Sequence, residues 1–465
     1  MLFGFNMAKK TIHMLPQEMR ASVSLAWVYA LRMLGMFLVL PVLALYAAGL
    51  PGADGNKALV GLAMGMYGLT QAVLQLPLGM ASDRFGRKKV IYFGLIVFAA
   101  GSFMAASADS LHMLVLARAV QGAGAVSAAV TALVADLTRE EVRTRAMAMI
   151  GLSIGLTFSA SMVISPLLSK YIGVPGLFVL TGVLTLLSIG VVAFLTPNPE
   201  RSKLHEDAQA QPARMGEVLK NGQLLRLNFG VFALQCGMMA LFTTLPFALT
   251  HLGMEKSQHW EVYLPATVIG LVLMIPAIII GETRNKLKQV FLLGIGLIFI
   301  SQIGLLFGLN SAWMIGFWLV VYFIGFNILE ASQPSLVSKI APAELKGTAM
   351  GVYNTLQSVG LFSGGALGGI LFHSFGYNGV FIFCSVLMLV WFGIAAAAPA
   401  PMPVKNVVLP VASVWLGKQQ ELLSALKQVG GVEAANISAD GQTVFIKALQ
   451  QGFDEESARK IISGV

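Results

Sequence analysis

The chain has 465 residues, 56% of them hydrophobic and 11% charged, where an ordinary soluble domain carries about 25% charged residues. That balance excludes a soluble enzyme, and at about 20 apolar residues per membrane crossing the length holds a dozen helices with residues to spare. The net charge is +9, with 25 basic and 16 acidic residues in 1–403 and 6 of each in 404–465, so the excess belongs to the hydrophobic part and no nucleic-acid partner is expected.

Lys9, Lys10 and Arg20 precede an apolar run over 21–48 that lacks a convincing cleavage site, so it reads as a retained first span and not as a signal peptide. Further apolar stretches lie at 58–81, 89–107, 111–135, 145–169, 174–195, 224–251, 260–280, 289–308, 312–338, 347–372 and 377–397. Their length favours helices over barrel strands, which need only about 10 residues and alternate. The longest polar connection, Thr196 to Gly222, contains Pro197, Pro199, Pro212 and a charge-rich stretch over 200–207. It divides the region six and six, predicting a six-helix bundle over 1–195, a linker over 196–222 and a second bundle over 223–398.

Basic residues stay on the cytoplasmic side of a membrane. With the N-terminus inside, the cytoplasmic segments hold 20 Lys and Arg and the opposite segments hold 3, namely Lys57, Lys170 and Lys256. Both termini and the 196–222 linker are therefore expected in the cytoplasm. Three matched segments argue for a duplicated six-span unit. Leu76-Pro77 to Lys89 aligns on Ile275-Pro276 to Lys288 at an offset of 199, Leu133 to Met147 on Leu336 to Met350 at 203, and Leu40-Pro41 on Leu245-Pro246 at 205.

Between spans two and three the sequence reads Gly79-Met80-Ala81-Ser82-Asp83-Arg84-Phe85-Gly86-Arg87-Lys88-Lys89. Gly79 allows close helix approach, Gly86 a tight turn, and Asp83 can pair with Arg87 or with a basic residue of a neighbouring loop. This segment resembles the signature loop of the major facilitator superfamily. The resemblance implies that Gly79, Asp83, Arg84, Gly86, Arg87 and Lys88 latch the two halves in an outward-facing state, with Asp136 as the acidic partner of Arg87. Read without it, the same residues are positive-inside charges around a turn glycine.

Arg118 to Gly124 in span four resembles the superfamily's arginine motif linked to proton coupling. An arginine inside a span costs at least about 2.5 kcal/mol, so Arg118 is expected to face an acceptor, or else to snorkel to the nearer surface. Drug/proton antiporters of the superfamily carry a Gly-Pro ending in span five, whereas this chain has Gly151, Gly155 and later Ser165-Pro166, which counts against antiport. Arg32 to Phe37, Tyr67 to Ala72, Lys346 to Tyr353 and a soluble tail resemble one branch of the superfamily, inner-membrane transporters of twelve helices with a cytoplasmic ferredoxin-like domain. That resemblance covers essentially the whole chain and implies proton-driven export of an unspecified small molecule.

Intramembrane polar groups are the pointers to a transport pathway. Gln71 and Gln75 lie four apart in span two, Asn327, Glu330 and Gln333 three apart in span ten, and Asn354 and Gln357 three apart in span eleven. For each amide, substrate contact and helix-to-helix hydrogen bonding stand open. Glu330 is the one acid well inside a span and the first candidate to carry a coupling proton, with a structural acid as the competing reading. Arg32, about ten residues into span one, is expected to line the cavity or pair with an acid, and Arg118 completes the coupling candidates.

Cys236 and Cys384 both sit in apolar runs, so no disulfide framework and no CxxC site is available. The sequence holds no Walker A, Gly-x-Ser-x-Gly or His-Glu-x-x-His motif, so no catalytic residue, metal or cofactor is expected.

Pro399, Pro401 and Pro403 form a stiff linker, after which a new domain begins. Val404 to Val411 suits a strand, Leu416 to Val429 a helix with Leu422, Leu423, Leu426 and Val429 on one face, 432–438 and 443–448 two strands joined at Asp440-Gly441, and Glu455 to Ile462 a second helix. The order βαββα is that of a small α+β ferredoxin-like sandwich over 404–465. Residues 411–417 lack the cysteines of metal-chaperone domains, leaving a regulatory ligand, a protein partner or dimerisation as its expected use. The full expectation is an all-α membrane protein of twelve transmembrane helices plus this domain. It would sit in the lipid bilayer and move a small molecule together with protons by secondary transport. An uptake transporter, or a sensor whose tail binds a partner, is the alternative.

Overall fold

The computed structural model describes residues 14–198, 215–284, 286–341, 345–399, 404–415, 417–437, 441, 443–449 and 452–463. Backbone polar groups in hydrocarbon must be satisfied within the segment itself, and the apolar runs are accordingly helical. In chain order they are α1 (Pro16–Ala48), α2 (Lys57–Phe85), α3 (Arg87–Ala106), α4 (Leu111–Ala123), α5 (Ser127–Leu137) and α6 (Glu140–Gly190), which ends in a π-helical turn over Val191–Leu195. The short α7 (Met215–Lys220) precedes α8 (Gly222–His251), α9 (Trp260–Thr283), α10 (Leu287–Phe307), α11 (Ala312–Ile340) and α12 (Lys346–Ala397).

Among the described residues, ten helical runs are long and apolar enough to cross a membrane. Two of them, α6 with 51 residues and α12 with 52, would each reach about 75–80 Å at 1.5 Å per residue, more than twice the hydrocarbon thickness. Each is interrupted by one non-helical residue, Gly173 at φ 68° and Gly376 at φ 64°. An L-residue is strained there and glycine is not. The polar loops expected after 169 and after 372 are thus each reduced to a single-glycine break within a continuous run. Counting across the breaks, α6 and α12 supply spans five, six, eleven and twelve, and α4 with α5 supplies span four.

The duplication is visible in backbone features. Gly173 and Gly376 lie 203 residues apart, Pro41 of α1 matches Pro246 of α8, and Pro77 of α2 matches Pro276 of α9. Two departures from the expected pattern occur. Span four opens its helix at 124–126, and the last part of the 196–222 linker is helical as α7, with the Asn221 side chain accepting from the backbone N–H groups of Gln223 and Leu224 to cap α8. Residues 199–214 of that linker lie outside the described residues.

One apolar core runs through both sets of six spans, from Val39 and Leu43 of α1 to Phe242 of α8 and Trp391 of α12. Phe158 of α6 joins the halves, its ring centroid 5.0 Å from that of Phe37, 6.1 Å from that of Phe323 and 5.7 Å from that of Phe326. The bundle has two ends. One carries the basic loops, and the other carries the turns around 49–56, 107–110, 252–259 and 308–311.

The contacts define a second compact unit, Glu282–Lys288 with Pro399–Val465. Its strands β1 (Val404–Pro410), β2 (Val432–Ile437) and β3 (Thr443–Leu449) form one sheet in the order β1-β3-β2, both pairs antiparallel. The helices α13 (Gln419–Lys427) and α14 (Glu455–Ser463) bury Leu422, Leu426, Ala458 and Ile462 against Val444, Ile446 and Ala448 of β3, whose every second residue faces the core. The first helix begins three residues later than expected because Ser413–Trp415 forms a 3₁₀ turn, with Trp415 Nε1 donating to the Ile461 carbonyl at 2.8 Å. The elements follow the βαββα order, and the fourth strand of a full ferredoxin-like sandwich is absent among the described residues. Asp440 of the expected turn lies outside them.

Candidate functional site

At the end of α2, Gly86 adopts φ 98° and joins α2 to α3. The turn sends Arg87 back under the bundle, where its Nε lies 3.0 Å from Asp136 Oδ2 of α5 and its Nη1 2.8 Å from Ser82 Oγ, with a further ion pair to Asp83. The side chains of Arg87 and Asp136 are 3% and 2% exposed, so the charges satisfy one another out of water, the condition under which a broken pair is costly. Lys88 Nζ donates to the Thr196 carbonyl at 2.7 Å, tying the loop to the end of span six. Arg84 lies over its neighbour Phe85, and Gly79 leaves room for Ala128 of α5. The structure therefore brings Asp83, Arg87 and Asp136 together, while Arg84 stays apart from the cluster.

Deeper in the first half, Arg32 of α1 is 2% exposed and Arg118 of α4 is 3% exposed. Arg32 donates to Ser127 Oγ and Tyr67 Oη, each at 2.9 Å, with its guanidinium carbon 5.5 Å from the Phe98 ring centroid. Arg118 donates to Gln121 Oε1, and its guanidinium carbon lies 5.0 Å from the Tyr67 ring centroid. Gln121 in turn donates to Ser102 Oγ at 2.9 Å. Tyr67 is the hinge of this cluster, offering its hydroxyl to one arginine and its ring face to the other. Neither guanidinium meets a carboxylate among the described residues, so two buried positive charges are held by neutral dipoles and rings alone.

The second half holds the opposite charge. Glu330 of α11 is half-buried. Its Oε2 accepts from Gln235 Nε2 of α8 at 3.0 Å and its Oε1 from Gln357 Nε2 of α12 at 3.4 Å. One amide per carboxylate oxygen fixes the group's orientation without neutralising it.

Other expected residues are placed less decisively. Gln71, Gln75 and Gln333 are buried, and Gln75 and Gln333 find no hydrogen-bond partner for either amide atom among the described residues; Gln71 lacks one for its Oε1. Asn327 and Asn354 are half-buried. The alternation of polar residues on α11 and α12 was legible at three-residue spacing. Gln235, Tyr67, Ser127 and Gln121 were not singled out, although an amide in the apolar run Ala233-Leu234-Gln235-Cys236 is itself a signal in a membrane helix.

Comparison with known proteins agrees with this fold. The family pattern described as Major Facilitator Superfamily matches residues 25–365 and 336–434. The chain is 40% identical over 434 residues to the inner membrane transport protein YajR of Escherichia coli K12, covering 93% of this chain and 95% of that one. It is 28% identical over 356 residues to multidrug resistance protein MdtH of Aeromonas hydrophila, covering 73% of this chain and 84% of the relative. Among solved structures, a bacterial homologue of the human lysosomal transporter Spinster, in an inward-facing and occupied conformation, superposes with a TM-score of 0.67 at 14% identity, covering 82% of this chain and 97% of the other.

Proposed function

The chain belongs to the major facilitator superfamily and is a multi-pass inner-membrane secondary transporter, and from that premise we propose that it exports a small molecule coupled to proton movement through Glu330. The observation that carries the reading is the Glu330 site itself. A carboxylate inside a span, held by two neutral amides and by no cationic side chain among the described residues, can have its charge removed by a proton or balanced by a cation, including a positively charged part of a substrate. Either event changes the cost of sealing the site from water, which is the requirement for coupling two movements.

Arg32 and Arg118, unneutralised in the other half, keep cations out of that half and give the span interiors of the two halves ionisable groups of opposite sign. Gln71, Gln75, Asn327, Gln333, Asn354 and Gln357 supply the amides from which a substrate pocket is made. Three of them are half-exposed on α11 and α12. The cluster of Asp83, Arg87 and Asp136, with Gly79, Arg84, Gly86 and Lys88, acts as the latch between conformations. The excess of Lys and Arg in the loops at one end supports a cytoplasmic position for both termini and residues 404–465. The β1-β3-β2 order of the tail supports a ferredoxin-like regulatory or partner-binding role. Export is favoured by the 28% identity to a relative named for multidrug resistance.

The test uses purified protein in proteoliposomes that enclose a pH reporter, with drugs, sugars, organic anions and metal ions added singly and no imposed gradient. A substrate-triggered pH change that disappears in Glu330→Gln is expected, with its sign separating antiport from symport. Substrate flux that persists in Glu330→Gln with the same pH dependence would remove the coupling assignment. Absence of any flux, with capture of a partner by the full-length chain through its tail, would favour a sensor.

A further inference from the structure

The first turn of α2 is docked on the other half of the molecule. The Lys57 ammonium lies 3.9 Å from the ring centroid of Phe247 in α8 and 4.5 Å from that of Phe372 in α12. These two rings are 5.3 Å apart, and Phe372 is 4.9 Å from Tyr377, so the cation enters an aromatic box built wholly by the second half. Among the described residues Lys57 forms no ion pair, and rings alone hold its charge.

The backbone at this point is pressed just as close. A methyl group on Gly369 would lie 2.7 Å from the Lys57 carbonyl oxygen and 2.7 Å from the Gly61 Cα, and one on Gly365 would lie 2.6 Å from the Gly61 carbonyl oxygen. Spans two and eleven therefore touch backbone to backbone where Lys57 is inserted, at the end of the bundle opposite the basic loops. On the same helix, Val73 and Met80, towards the basic end, are exposed.

We propose that Lys57 is the gate residue of the transport cycle, its ammonium in the Phe247–Phe372 box holding this end of the two halves shut. Opening that end requires the cation to leave the rings. Any side chain that binds the rings less well then raises the population open at this end. The reading rests on alternating access by a secondary transporter, but its test needs neither a substrate nor proton coupling, so it can fail while Glu330 coupling stands, and the reverse.

The experiment measures distances by pulsed electron paramagnetic resonance in full-length protein in nanodiscs. Spin labels are placed at Asp109→Cys and Asn310→Cys, exposed positions on the two halves at this end. Both native cysteines are buried, and the labels are introduced in a background in which Cys236 and Cys384 are replaced by alanine. The unaltered gate is expected to give mainly the short distance. Lys57→Met is expected to raise the ratio of long to short distance about twofold to thirtyfold, the range of one cation–π contact, and Phe247→Leu with Phe372→Leu to do the same. Lys57→Arg, whose guanidinium stacks on the same rings, is expected to restore the short distance. A Lys57→Met distribution indistinguishable from that of the parent overturns the proposal. So does a Lys57→Arg distribution that matches Lys57→Met, because a merely structural lysine would not be rescued by a ring-binding cation.

Discussion

Gln235 Nε2 of span seven and Glu330 Oε2 of span ten are 3.0 Å apart, a hydrogen bond between two helices that the chain separates by 95 residues. With Gln357 on the other oxygen at 3.4 Å, the two amides orient the one carboxylate to which coupling is assigned. A hydrogen bond to a charged group contributes about 1.5–3 kcal/mol, so Gln235→Ala is expected to slow substrate-driven proton movement about tenfold or more in proteoliposomes. Gln357→Ala, which removes the longer bond, is expected to have a smaller effect. Equal rates in Gln235→Ala and the parent would contradict the assignment.

Arg32 and Arg118 set stability against function. Replacing Arg32 by Met removes an unneutralised buried charge that costs about 2.5 kcal/mol or more. It also leaves the hydroxyls of Ser127 and Tyr67 without their donor, at about 1–3 kcal/mol each. These effects offset, so the thermal midpoint of Arg32→Met is expected to stay close to that of the parent while transport falls at least about tenfold. Scanning fluorimetry beside the flux assay checks both halves of this statement, and a collapse of the midpoint with transport retained per folded molecule would reverse it.

The ion pair of Arg87 with Asp136 is buried on both sides. Arg87→Ala removes the buried guanidinium that faces the Asp136 carboxylate and is expected to destabilise by about 3–5 kcal/mol, whereas Arg87→Ala with Asp136→Ala removes both charges and is expected to cost less than the single change. Unfolding in denaturant, read as a double-mutant cycle, measures the difference. A double variant that costs the sum of its parts would show that the two residues do not act through each other.

In the tail, Asp454 caps α14, its Oδ2 accepting from Ser457 Oγ at 2.6 Å and its Oδ1 from the Ser457 backbone N–H at 3.0 Å. The Ser457 side chain first, and the backbone donor next, hold the Asp454 carboxyl below its ordinary value. A carboxyl depressed in the folded state stabilises fully above its unfolded value and loses that contribution as pH falls through the folded one. Asp454→Ala is therefore expected to lower the melting temperature of the tail at neutral pH, with the gap from the parent closing as the solution is acidified below the carboxylate range. A gap that is constant with pH would assign the effect to helix propensity alone.

Much of the architecture follows from local chemistry. Runs of about 20 apolar residues become helices because hydrocarbon leaves the backbone no other partner. Pro41 and Pro246 mark the duplication, and the Gly79 to Lys89 loop announces the family before any coordinates are known. The strand read over 443–448 is β3, and its alternate residues Val444, Ile446 and Ala448 fall in the core. Glu330, Arg32 and Arg118 stand out in the sequence because an ionisable group inside a span is expensive wherever it points.

Only the tertiary structure decided what those groups meet. That Glu330 is held by Gln235 and Gln357, that Tyr67 serves both arginines, and that Lys57 enters the ring box of the opposite half depend on how helices rotate about their axes and which faces turn together. An apolar helix in an apolar solvent carries little periodicity to fix that rotation. It is set by close backbone contacts, such as Gly61 against Gly365, between residues some 300 positions apart, and no local pattern connects them.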